Sequence, residues 1–95
     1  MHARLSTYEG EAGELTKGFD AQTDALEQLD GFKAAYFGVS GSGKAFSLTL
    51  WESEEALKLS AERAKQLRSD ATQPSGAEIQ SVEHFEITTT AGDAY

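Results

Sequence analysis

Residues 38–51, GVSGSGKAFSLTLW, can be read in two ways, and the fold depends on the choice. Gly38, four residues, then Gly43 and Lys44 nearly spell a phosphate-binding loop. Such a loop needs a strand before it, a helix after it, and Ser or Thr following the lysine to hold magnesium. Here Ala45 follows Lys44. The next residues, AFSLTLW, alternate with period two and predict a strand, so the helix N-terminus that would face the phosphates is missing. The stretch is therefore expected to be a hairpin turn over Ser40–Gly43, with Ser and Gly supplying positive φ.

Working outward, FKAAYFGVS (residues 32–40) predicts the strand before the turn, and Lys44–Trp51 the strand after it. Upstream, His2–Glu9 alternates weakly, with Ala3, Leu5 and Thr7 against Arg4, Ser6 and Tyr8. Gly10 and Gly13 punctuate its end. Leu15, Phe19, Gln22, Leu26 and Leu29 then recur at helical spacing up to Asp30-Gly31, and Gly18 weakens that helix locally. Downstream, Ser53 offers an N-cap with Glu54 and Glu55 in the first turn. One helix is expected from there, with Leu57, Ala64, Leu67 and Ala71 on one stripe, stopped at Thr72-Gln73-Pro74. Ala77–Thr90 predicts a last strand, and Asp93–Tyr95 a frayed tail.

The order β-α-β-β-α-β is the split βαβ pattern, an α+β ferredoxin-like fold, over one domain of residues 1–95. Right-handed crossovers place both helices on one face of an antiparallel sheet. The net charge of −8 repels phosphate backbones and anionic lipid, which argues against nucleic-acid and membrane partners. No cysteine is present, and MHARLSTYEG lacks the features of a signal peptide. Both readings point to a cytoplasmic protein.

The sheet raises a second question. Phe46, Leu48 and Leu50 point to one face with Tyr36. Ala45, Ser47, Thr49 and Trp51 point to the other with Phe37 and Val39. Four strands make a sheet about 19 Å wide. Two helices of roughly 10 Å each cover one face of it. The second apolar face is then left for another copy of the chain, so a homodimer is expected. A bulge that turns one side chain over, or a tail folded across the sheet, are the alternatives.

LDGFKAAYFGVS (residues 29–40) followed by AFSLTLWESEEAL (residues 45–57) resembles the antibiotic biosynthesis monooxygenase-like group of the dimeric α/β-barrel superfamily. The marks are a Gly-Phe before the second strand and a third strand ending in Trp-Glu-Ser before a Glu-rich helix. The resemblance implies a homodimer with a pocket between sheet and helices in each protomer. Members include cofactor-free oxygenases of aromatic polyketides, haem-degrading oxygenases and small proteins of unassigned role. Haem-degrading members carry an asparagine on the first strand and a haem-ligating histidine on the second helix. The segment from Ser53 to Thr72 has no histidine, so neither haem nor another cofactor is expected.

The resemblance also implies that Trp51 lines the pocket, where its indole can stack on a flat ligand; as a lone tryptophan at a strand end it reads equally as a core plug. Ser47 and Thr49 can polarise a ligand oxygen, or simply be polar strand positions, and Phe37 shares their face. Tyr36 and His84 are the candidate proton or hydrogen-bond partners. Their bland readings are a buried seam aromatic and a partly exposed strand residue. Small residues on the second helix, Ala64, Ala71 and Ser60, leave either a ligand pocket or close packing. Two histidines far apart make no metal set. The sequence favours a non-catalytic dimer that binds a small apolar or aromatic ligand. The alternative is a cofactor-independent monooxygenase of an aromatic or polyketide-type substrate.

Overall fold

The computed structural model describes residues 1–92, so the expected tail at 93–95 lies outside the described residues. The elements run β1 (His2–Glu9), α1 (Ala12–Glu27), β2 (Phe32–Val39), β3 (Lys44–Trp51), α2 (Glu54–Leu59), α3 (Ala61–Thr72) and β4 (Glu78–Glu86), with a 3₁₀ turn at Gln73–Ser75 before β4. The strands form one antiparallel sheet in the order β2-β3-β1-β4. This is the α+β ferredoxin-like arrangement expected from the element order. No helix is long and apolar enough to cross a membrane.

The opening stretch is a hairpin. The Ser40 N–H donates to the Lys44 carbonyl at 2.8 Å, and the Ser40 hydroxyl accepts from the Lys44 N–H at 3.3 Å. Among the described residues, positive φ in this turn falls on Gly43 alone (84°), not on the serines as well. The serines need no left-handed backbone because their hydroxyls tie the turn instead, Ser40 Oγ lying 2.9 Å from Ser42 Oγ.

The ends of the first helix and of the last strand differ from expectation, and a cap sets where that helix starts. Helix α1 begins at Ala12 because the Glu11 carboxylate caps it, accepting from the Gly13 and Glu14 N–H groups at 2.9 and 2.8 Å. It ends at Glu27, and the chain turns through Gly31 (φ 78°) into β2. Strand β4 stops at Glu86, with a register shift opposite Thr7 and Tyr8.

The single second helix is in fact two helices, broken at Ser60. The Leu57 carbonyl accepts from Arg4 Nη2 and from the Ser60 hydroxyl, both at 2.8 Å, and these bonds draw it out of the helical ladder. A strand residue thus decides where a helix far along the chain breaks. At the start of α2 the Ser53 hydroxyl caps the Ala56 N–H at 3.0 Å, as the sequence predicts.

Helices α1 and α3 lie side by side over the face that carries Ala45, Ser47 and Thr49. Tyr8, Leu15, Phe19, Ala45 and Ala71 form the core there, with Phe37 and Ala77 packed against them. On the opposite face, Tyr36, Phe46 and Phe85 are 38%, 40% and 45% exposed. Leu48 is half-buried. Leu50, grouped with this face by parity, is instead buried. It sits at the end of the sheet where the Ile87 N–H bonds back to the Met1 carbonyl at 2.9 Å.

Candidate functional site

The weak alternation of β1 has a clear structural meaning. Its polar set points under the helices: Arg4, Ser6 and Tyr8 are all buried. The register places Arg4 beside Thr49, Ser6 beside Ser47 and Tyr8 beside Ala45. Apart from Ala45, these side chains, with Phe37 from β2, floor a cavity of about 30 Å³. Phe19, Gln22 and Leu26 of α1 and Ala64, Leu67, Arg68 and Ala71 of α3 close it from above. A space of this size holds one or two water molecules. Leu26 and Phe37 also wall an open groove along the β2 edge, of about 570 Å³, so the cavity and the groove abut across these two side chains.

One end of the cavity is aromatic. The Phe19 ring stacks on Phe37 at 4.8 Å and tilts against Tyr8 at 5.3 Å. The Tyr8 hydroxyl lies 2.8 Å from Ser47 Oγ. Burial pushes the Tyr8 phenol up from its ordinary pKa, and the Ser47 bond pulls the other way. The phenol is therefore a neutral hydroxyl across the physiological range.

The other end is cationic. Arg4 is 3% exposed. Its Nη2 donates to the Leu57 carbonyl at 2.8 Å. Nη1 and Nη2 reach Ser60 Oγ at 3.3 Å, and Nε reaches His84 Nε2 at 3.3 Å. The guanidinium carbon stands 5.7 Å from the centre of the Trp51 ring, a cation–π contact. Every one of these partners is neutral. Among the described residues, no carboxylate lies within 4 Å of Arg4 or Arg68. Burial, and then the neighbouring Arg68 charge, push the Arg4 pKa down to about 10. Burial also lowers Arg68. His84 is lowered by burial and then by the two arginines.

This arrangement predicts the behaviour of Arg4→Met. The folded-state pKa of Arg4 lies below its ordinary value, so burial of the charge opposes folding. That cost is fully present below about pH 10 and fades as the pH rises above it. Methionine fills similar space without the charge, and the Leu57 carbonyl keeps its bond from Ser60. Urea unfolding at pH 7 should show Arg4→Met as stable as the parent, or more stable by about 1–2 kcal/mol. A loss beyond about 2 kcal/mol would mean that the guanidinium holds the fold together.

The cavity's position between sheet and helices can be compared with known proteins. No protein-family model and no curated protein matches the sequence. Solved structures do match along nearly the whole chain. The heme-degrader MhuD from Mycobacterium tuberculosis, with two hemes bound in its active site, is 28% identical at a TM-score of 0.74, covering 97% of this chain and 100% of that one. SnoaB, a cofactor-independent oxygenase from Streptomyces nogalater, is 10% identical at a TM-score of 0.74, covering 97% of both chains. An antibiotic biosynthesis monooxygenase-like protein from Deinococcus radiodurans is 14% identical at a TM-score of 0.73, covering 99% of both. The chain has the antibiotic biosynthesis monooxygenase-like fold.

Within this monooxygenase-like fold, the residues singled out from the sequence fall in different places. Ser47, Thr49 and Phe37 line the cavity. Trp51 is fully buried but lies behind it. The indole N–H donates to Thr49 Oγ1 at 2.9 Å, and the ring meets the Phe32 edge at 5.6 Å. Trp51 thus meets the cavity through two of its lining residues, Thr49 and Arg4, and the Thr49 O–H remains free to donate. Tyr36 is on the opposite face of the sheet, beside Leu48. His84 is on β4, where it accepts from Arg4 at the outer end of that side chain and borders a surface depression with His2. Neither lines the cavity, but Tyr36 borders the open groove along β2.

Arg4, Ser6, Tyr8 and Arg68 line it and were not foreseen. A signal existed for three of them. Two small apolar groups and a threonine alternating with Arg, Ser and Tyr can place either set inward, and the bulkier polar set is the one under the helices. Arg68 carried no such signal, because it lies in a run of charges on α3 that reads as a solvated face. No cluster of metal-binding side chains occurs among the described residues.

Proposed function

We propose that this protein is a homodimeric binder of a small aromatic ligand, held between its sheet and the helices α1 and α3. The observation that carries the reading is the cavity itself. Its floor joins an aromatic wall (Phe19, Phe37) to donors and acceptors from Ser6, Tyr8, Ser47 and Thr49. Ligand sites are built from mostly apolar walls with a few placed polar groups. The space of about 30 Å³ accepts a polar head group, and a ring must occupy the groove beyond Leu26 and Phe37. Displacement of those two side chains joins the volumes. The outer sheet face, with Leu5, Tyr36, Phe46, Leu48 and Phe85, supplies the surface for a second copy.

Similarity to SnoaB supports a second reading, a cofactor-independent oxygenase. The specific observation for it is Tyr8, a buried phenol that faces the cavity near Arg68 and can donate a hydrogen bond to a reacting oxygen. Similarity to MhuD raises haem, and the residues present do not fit it. The cavity wall has no histidine, and the Arg4 guanidinium occupies the space beneath the α2–α3 break. The histidines present border the surface depression instead.

Titration with flat two-ring aromatics, followed by nuclear magnetic resonance of the Phe and Tyr rings, tests the proposal. Phe19, Phe37 and Tyr8 should shift. Ala64→Val, which fills the cavity, should weaken binding about tenfold or more while the protein stays folded. Shifts confined to the outer face, or binding indifferent to Ala64→Val, would refute it. Oxygen uptake when the aromatic is a hydroquinone, lost in Tyr8→Phe, would select the second reading.

A further inference from the structure

The cavity holds two guanidinium groups and no counter-charge. Arg4 is buried and bonded only to neutral groups, and Arg68 lines the same space from α3. Elsewhere the chain is strongly acidic, with a net charge of −8. Acidic side chains are thus abundant, yet among the described residues none pairs with either arginine. The surface pairs Lys17–Glu14 and Lys58–Glu54 show that carboxylates are available to cations elsewhere in the fold. A buried, unpaired charge is costly and is rarely kept without a partner that arrives later.

We infer that the ligand of this site is an anion: an aromatic ring bearing one carboxylate, whose head group occupies the 30 Å³ cavity between Arg4 and Arg68. The inference rests on reading the cavity as a ligand site and adds the charge of what binds there. Size agrees with it, since a space for one or two waters also fits a carboxylate. Chemistry agrees as well. The carboxylate oxygens accept from the guanidinium N–H groups and from the Thr49 and Ser6 hydroxyls. The ring extends past Leu26 and Phe37 into the groove along β2. The Arg4–Ser60 and Arg4–His84 contacts, all at 3.3 Å, are long enough to be exchanged for a shorter charged bond. The lowered pKa of each arginine has the same origin: burial without a counter-ion. The ligand supplies the counter-ion.

Isothermal titration calorimetry of the full chain at neutral pH, with 1-naphthoate and its neutral isostere 1-naphthamide, tests the inference. The carboxylate should bind at least about tenfold tighter than the amide. In Arg68→Met that preference should fall below about threefold. Arg68 is only half-buried, so this variant tests the inference even if Arg4→Met does not fold. Arg4→Met, where folded, should lose the preference too. Equal affinities for the two compounds, or a preference unchanged in both variants, would overturn the anion inference and leave the aromatic-binding reading in place. No binding of either compound at millimolar concentration would overturn both.

Discussion

Gly18→Ala unfolds this protein more easily, although it replaces a poor helix former by the best one. In an exposed helix interior the change stabilises by about 1 kcal/mol. Here Gly18 sits where α1 crosses α3, and an added Cβ would overlap the Ala71 carbonyl oxygen and crowd the Ala71 backbone. Backbone cannot swing aside as a flexible side chain can, so the two helices must separate. Ala71 belongs to the core with Tyr8, Leu15 and Phe19, and the shift loosens all of it. A loss of about 2–4 kcal/mol is expected from overpacking of this kind, visible as a lower urea midpoint at unchanged slope. Gly13→Ala in the same helix is the control. Its Cβ would meet only the Glu11 carboxylate, at 3.2 Å, so it should be neutral or mildly stabilising. Should Gly18→Ala gain stability as Gly13→Ala does, the α1–α3 packing described above is wrong.

Phe46→Asp should separate the proposed homodimer into folded single chains. Phe46 is 40% exposed on the outer face of β3, and its ring lies over Gly38 of the neighbouring strand, where a Cβ would strike it. The ring is thus laid flat along the sheet rather than standing into solvent. Leu48 and Tyr36 continue the apolar strip, Leu5 and Thr7 flank it on β1, and Phe85 closes it on β4. Lys44 and Glu9 lie at one end of the strip, and Glu83 of the edge strand β4 sits level with Leu5 and Leu48. Burying each large side chain contributes roughly 1.5–3 kcal/mol. A two-fold partner doubles the number of groups covered, because the same patch serves both subunits. A carboxylate at position 46 has no partner in that seam and would be desolvated there. The aspartate costs little in a single chain, where the position faces water. Its far-ultraviolet circular dichroism should therefore match the parent while the mass halves. A variant that keeps the parent mass would contradict a contact through this face.

Much of the fold was legible because two periodicities are carried by large side chains. Phe46, Leu48 and Leu50 against Ser47 and Thr49 define β3, and Leu15, Phe19 and Leu26 define α1. The turn between β2 and β3 was legible from Ala45, since neither magnesium-binding hydroxyl nor helix follows Lys44. The break at Ser60 was not. It depends on Arg4, a residue 56 positions away in sequence, and local propensity along α2 and α3 is continuously helical. The site was half legible for a related reason. Parity put Ser47, Thr49 and Phe37 on the helix-covered face, but it could not say which face of β1 joins them. Tyr36 and His84 drew attention as titratable groups in apolar strands, and pairing placed one on the outer face and the other at the margin of β4. Trp51 reads in the sequence equally as a ring platform and as a core plug. Its N–H is held by Thr49 two residues earlier on the same face, a contact that alternation allows but does not require.

This one sheet is apolar on both sides; helices cover one side, and in the proposed homodimer a second copy covers the other. Light scattering of the eluting peak at micromolar protein measures this most directly. It should return twice the chain mass of 10.2 kDa. A folded species of 10.2 kDa at that concentration would contradict it.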